Sequence, residues 1–141
     1  MSIQNRATRE KVSRMRQSLP RLLNHMRRLV EPYFSGRPVI KGTVYELRRR
    51  CGKPGCKCTR GELHTSMVVS ASEKGKTRLR GIPRGFLGEV QEKVRRYQEL
   101  RRARARLVAI HREMLRILDE MEAMRREELP SSEPGRFSKG G

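Results

Sequence analysis

CGKPGCKCTRGELH, residues 51–64, holds every cysteine of the 141-residue chain and one of its three histidines. Its spacing is C-x4-C-x-C-x5-H, with Cys51, Cys56, Cys58 and His64 as the soft donors. Zinc favours four such donors in a tetrahedron, and Cys3His is a common structural set. Gly52, Pro54 and Gly55 let the chain turn sharply between the first two thiolates, and Gly61 gives the last segment its reach back to His64. Amides freed by those turns can donate to sulfur, while Lys53, Lys57 and Arg60 favour the thiolate forms and offset their charge. A shell closed by four protein ligands leaves no position for water, so the expected ion is structural Zn2+ rather than catalytic. Other readings stay open at this point: thiols buried under a loop, an iron–sulfur ligand set, or a Cys56–Cys58 disulfide, which is strained at that separation.

Working outward, VIKGTVYELRRR (39–50) reads as a strand entering the loop, with Thr43, Tyr45 and Leu47 on one face. Beyond the loop, MVVSAS (67–72), the turn EKGK (73–76) and TRLRGI (77–82) make a hairpin in which Gly75 supplies a positive φ. Upstream, Val12, Met15, Leu19, Leu22, Met26 and Leu29 recur at heptad spacing, interrupted by Pro20. Helix is predicted over 6–17 and 19–31, with Pro20 either kinking it or lying in the first turn of a second helix capped by Ser18. Downstream, a long helix is predicted from Pro83 to Leu129-Pro130. Leu100, Ala103, Leu107, Ile110, Met114, Ile117, Met121 and Met124 follow the heptad rule without a miss. Val90, Val94 and Tyr97 obey it too, with a register shift between Tyr97 and Leu100.

The expected fold is therefore α+β: an N-terminal helix, a small three-stranded antiparallel sheet with a zinc knuckle, and a long C-terminal coiled-coil-like helix. The corresponding segments are 1–38, 39–83, 84–128 and a disordered tail at 129–141. Six large apolar side chains on the last helix, Leu107, Ile110, Met114, Ile117, Met121 and Met124, form a candidate oligomerisation face. It would serve a homodimer or a protein partner, unless the N-terminal helix folds back to cover it.

Charge bounds the function. There are 34 Lys plus Arg against 15 Asp plus Glu, a net of +19, with the excess carried by arginine. A guanidinium grips phosphate bidentately and stacks on bases, which suits nucleic acid. The excess is not uniform: residues 39–83 carry 11 basic and 3 acidic groups, whereas residues 107–128 carry 4 and 6. The candidate phosphate contacts are Arg48, Arg49, Arg50, Lys53, Lys57, Arg60, Arg78 and Arg80 around the cysteine loop. Arg101, Arg102, Arg104 and Arg106 join them from the adjoining helix. Neither long helix has the bulky apolar anchors of a membrane-surface helix. The longest apolar run, LVAI at 107–110, is far short of a membrane span. With no export signal and an odd number of cysteines, a reducing cytoplasm is expected, with association to the nucleoid in view.

The residues RRRCGKPGCKC…GELH, the hairpin after them and IPRGFLGEV leading into the long helix resemble a small uncharacterised bacterial and archaeal family. That family carries an RCGKPGC-x-C…GELHGPY signature and is often met near mobile elements. The resemblance spans roughly residues 40–110 and implies a domain of unknown function, so it supports the ligand set without supplying an activity. The chain departs from the pattern after His64, with Thr65-Ser66-Met67 where the family tends to have Gly-Pro and aromatics.

No catalytic constellation is legible, and no small-molecule substrate is expected. A zinc deaminase would need H-x-E followed by P-C-x-x-C, and here the order is reversed. Glu113, Asp119, Glu120 and Glu122 alternate with arginines at helical spacing and read as a salt-bridged face. The expectation is a non-enzymatic, zinc-stabilised nucleic-acid-binding protein, DNA before RNA. The alternative is a coiled-coil adaptor or structural protein.

Overall fold

The apolar periodicities fold as they are written. A computed structural model describes residues 3–131, in the order helix α1 (Ile3–Val30), a 3-10 turn (Glu31–Phe34), strand β1 (Thr43–Arg49), a second 3-10 turn (Lys57–Arg60), strands β2 (His64–Glu73) and β3 (Lys76–Gly81), and helix α2 (Leu87–Met124). The class is α+β, with one three-stranded antiparallel sheet in the order β1-β2-β3.

Two compact units divide the chain: Met1–Asn24 with Ala109–Gly141, and His25–Val108. In the first, Met15, Ile110 and Ile117 are buried, Val12, Leu19, Leu22, Met114, Met121 and Met124 are half-buried, and Lys11 pairs with Glu120. The heptad residues of both helices are thus the covered ones within a single chain. In the second unit the buried residues are Cys58, Val68 and Val94. Here α2 is stitched to the segment that leads into the sheet. The Ile40 amide donates to the Lys93 carbonyl at 3.2 Å, Arg96 Nη1 to the Pro38 carbonyl at 3.1 Å, and Gln98 Nε2 to the Gly42 carbonyl at 3.3 Å.

Boundaries differ from the sequence reading at several places, for local reasons. Pro20 does not divide the first helix: α1 runs unbroken to Val30, and Ser18 Oγ donates back to the Arg14 carbonyl at 2.9 Å rather than capping a new helix. One missing donor is tolerated because covered residues on both sides, Met15 and Leu22, hold the helix to its packing. β1 starts at Thr43, since Ile40 is already bonded to α2. β2 reaches back to His64, whose backbone pairs with Arg49. α2 stops at Met124, the last heptad residue, and unwinds through i→i−3 bonds from Arg125 and Arg126, leaving 126–131 irregular. The start also shifts: Pro83–Phe86 forms a turn before α2 begins. Most of the expected tail, 132–141, lies outside the described residues. The hairpin turns through Lys74 and Gly75, both with positive φ (50° and 78°), the geometry a two-residue link between twisted strands requires.

Candidate metal centre

The donors of the opening stretch converge. The ligand atoms of Cys51, Cys56, Cys58 and His64 all lie within 4.8 Å of one another. Cys51 Sγ stands 3.5 Å from Cys58 Sγ, and Cys56 Sγ stands 3.0 Å from His64 Nε2. A tetrahedral shell with metal–sulfur bonds near 2.3 Å and metal–nitrogen bonds near 2.05 Å has edges of about 3.6–3.8 Å, so these donors need only small adjustments to share an ion. All three cysteines are free thiols, which sets aside the disulfide.

Each donor is placed by a different local device. Cys51 follows directly on β1, two residues past Arg49. Cys56 precedes the short 3-10 turn that carries Cys58 inward, and Cys58 has no exposed surface. Gly61 ends that turn in the left-handed region (φ 101°), which a side chain would resist, and so redirects the chain towards His64 at the head of β2. The backbone contributes as well: the Cys51 amide donates to Cys58 Sγ at 3.4 Å. That is the amide-to-sulfur support expected around a thiolate cluster.

Electrostatics divide the thiols. Cys56 is lowered to about 6 by the Cys58 amide first, then by hydrogen bonds from Cys51 and His64. Cys51 is shifted the other way. The Lys53 amide pulls it down, but the sulfur contacts with Cys56 and Cys58, desolvation and the Cys56 charge together outweigh that pull. One thiolate is therefore ready at neutral pH, and a cation is what would stabilise a second beside it. The donor set and its geometry fit a metal ion. His25 and His111 take no part in the cluster.

The basic residues assigned to a nucleic-acid surface do not all fall on one face. Strand register sets Arg48, Arg78 and Arg80 on the same side of the sheet as Val44, Met67 and Val69, and Arg49, opposite His64, on the other. Arg78 and Arg80 both pair with Glu73, at 3.5 and 3.0 Å, and Arg48 lies 3.8 Å from Glu46. By contrast Arg49, Arg50, Lys53, Lys57 and Arg60 are exposed and form no ion pair among the described residues. Arg101, Arg102, Arg104 and Arg106 are likewise exposed and unpaired. In the oligomerisation set, Ile110 and Ile117 are buried and Leu107, Met114, Met121 and Met124 half-buried. Glu122 pairs with Arg126, as the salt-bridged reading of that helix expects. Lys41 was not singled out by the sequence, although it stands with Arg101 and Arg102 around one cleft. A lone lysine before a glycine carries no signal of its own. No described helix is long and apolar enough to cross a membrane.

A family model described as Domain of unknown function (DUF6788) matches residues 9–92, more than half of the chain. The match takes in most of α1, the whole cysteine loop and the sheet, and it ends within the first turns of α2. No curated protein and no solved structure matches.

Proposed function

The chain belongs to this family of unknown function, and from that premise we propose that it is a non-catalytic nucleic-acid-binding protein whose small sheet is pinned by a structural Zn2+ on Cys51, Cys56, Cys58 and His64. One observation carries the reading. The end of β1 and the loop that would wrap the ion hold five exposed cations, Arg49, Arg50, Lys53, Lys57 and Arg60, with no carboxylate between Glu46 and Glu62 and no ion pair among the described residues. Like charges held together on a compact loop repel one another, and a polyanion relieves that cost while releasing its own counterions. Four soft donors with no position left over suit a structural ion better than a catalytic one.

Duplex DNA is favoured over single-stranded RNA by what the sheet lacks. Sequence-reading RNA modules stack bases on sheet aromatics, and Tyr45 is the one aromatic side chain on these strands. Backbone recognition needs only cations. The test is fluorescence anisotropy with mixed-sequence DNA and RNA duplexes across a salt series, alongside metal analysis of protein prepared without chelator. Expected are about one zinc per chain and a log–log salt slope steepened by about 0.9 for each phosphate contact. Replacing Lys53, Lys57 and Arg60 with glutamine should weaken binding to every sequence alike. Affinity indifferent to salt, or to that triple change, would return the chain to the coiled-coil adaptor reading.

A further inference from the structure

A second cationic feature lies in the same unit, where the sheet meets α2. A cleft of about 430 Å³ is lined by Lys41, Thr43, Ser70, Ser72, Tyr97, Gln98, Arg101 and Arg102, together with Gly42 and Ala71. Three cations line it and no carboxylate does. Other clefts of this unit that gather several cations also contain an acid: Glu99 beside Arg37, Arg95 and Arg96, and Glu73 beside Arg78, Arg80 and the same Lys41, which borders both clefts. The contrast along one helix is sharp. Arg95 is held by Glu92 and Glu99, whereas Arg101 and Arg102, less than two turns on, have no ion pair among the described residues.

The cleft is built. Lys41 Nζ donates to the Ser72 carbonyl at 2.8 Å, which holds the ammonium over the strand end without neutralising it. Thr43 and Ser70 are register partners, and Ser72 lies two residues along the same face, so three hydroxyls line up there. Gly42 (φ 143°) lets the chain come this close, since a Cβ there would lie 2.6 Å from both the Ser70 carbonyl oxygen and Val69 Cγ1. Gln98 ties α2 to the same residue through the Gly42 carbonyl. A tethered lysine, two arginines free of carboxylates and a row of hydroxyls around a cleft larger than one phosphate group match a sugar-phosphate unit.

We infer that this cleft seats a backbone phosphodiester of a bound nucleic acid through Lys41, Arg101 and Arg102, with Thr43, Ser70 and Ser72 as hydroxyl donors. The inference rests on the nucleic-acid reading and adds a seat outside the cysteine loop. Arg101 and Arg102, two of the seat's three cations, lie beyond the segment matched by the family model.

The experiment compares wild type with Arg101→Gln/Arg102→Gln, with Lys41→Gln, and with Arg125→Gln/Arg126→Gln as a control of equal charge in the other unit. Anisotropy with a mixed-sequence DNA duplex should show about tenfold weaker binding for the Arg101/Arg102 pair at moderate salt and a salt slope reduced by about two, against little change in the control. Lys41→Gln should reduce the slope by about one. The replaced side chains are exposed, so circular dichroism should be unchanged. Equal effects from the Arg101/Arg102 and Arg125/Arg126 pairs overturn the seat while leaving nucleic-acid binding in place. Wild type that binds no duplex overturns both. Inorganic phosphate, titrated by calorimetry at constant ionic strength, supplies the last arm: phosphate binding lost in the Arg101/Arg102 pair while duplex binding is kept would assign the cleft to the free ion and overturn the proposal.

Discussion

Cys58→Ser is the sharpest test of how the sheet unit is held together. Cys58 has no exposed surface, takes a hydrogen bond from the Cys51 amide and lies 3.5 Å from Cys51 Sγ. Serine nearly preserves the volume and removes the soft ligand. Beyond Cys58, the buried residues of this unit are Val68 and Val94. Burying a valine contributes about 1.5–3 kcal/mol, while fixing one residue's backbone costs about 1–2 kcal/mol. With half-buried Val44, Leu47, Met67, Val69 and Ile82 around them, Val68 and Val94 make a thin core, to which an ion on Cys58 would add a large share of the order. Structural zinc contributes an apparent ~10–16 kcal/mol in zinc-finger peptides near neutral pH, and there the ion's binding energy is folding energy. Cys58→Ser is therefore expected to lose its metal and, in hydrogen exchange, the protection of amides in Thr43–Arg49, His64–Glu73 and Lys76–Gly81. Far-ultraviolet circular dichroism should still report helix from the distal part of α2. Chelator should do the same to wild type, and added zinc should reverse it. If Cys58→Ser keeps wild-type strand protection, or metal-free wild type does, the sheet stands on its own packing and the metal argument is wrong.

Other outcomes follow from single contacts. Metal-free protein should take up Co2+, read by its thiolate charge-transfer bands, less tightly as pH falls, because the raised Cys51 thiol must lose a proton on binding, and the dependence should steepen below about 6, where the lowered Cys56 thiol regains its own; a slope unchanged across pH 6 would remove Cys56 from the ligand set. Ile110→Ala empties a site only 1% exposed and should lower stability by about 2–5 kcal/mol in a urea melt, whereas the exposed Leu115→Ala should change little. Ile117→Glu places a carboxylate at a buried position and should cost helix content, measured by circular dichroism; a fully helical Ile117→Glu monomer beside a dimeric wild type would instead favour the helix-to-helix dimer. Gly42→Ala should destabilise by about 1–3 kcal/mol and weaken duplex binding together, since the new Cβ would push β1 off Ser70.

Periodic features were legible in the sequence, and features set by packing across the chain were not. Heptad spacing picked out the covered residues of both helices, Met15, Ile110 and Ile117 among them, because a helix that buries one stripe has to repeat it every three or four residues. The Cys3His cluster was legible for a different reason: soft donors are rare enough that four in one loop stand out. Pro20 misled, since a missing hydrogen bond is local information and the packing that overrides it is not. β2 was drawn too short at its start because His64, Thr65 and Ser66 carry no apolar alternation; their pairing with Arg49, Arg48 and Leu47 is what makes them strand. The split of Arg48 from Arg49 across two faces was implicit in strand parity. The cleft at Lys41 was not, because it joins residues some 60 positions apart that neither motif nor period connects.

The order of segments along the chain also bears on synthesis. His25–Val108 is contiguous, so the metal ligands and all three strands emerge together and can assemble while the remainder of α2 is still being made. The other unit has to wait: Val12, Met15 and Leu22 are made early, and Ile110 and Ile117, on the far side of 84 intervening residues, come last. During that interval the first helix has an apolar stripe with nothing of its own chain to cover it. A nascent chain stalled before Ala109 would thus hold all four candidate metal donors beside an uncovered helix, a form open to aggregation and to chaperone capture until Ile110 and Ile117 arrive.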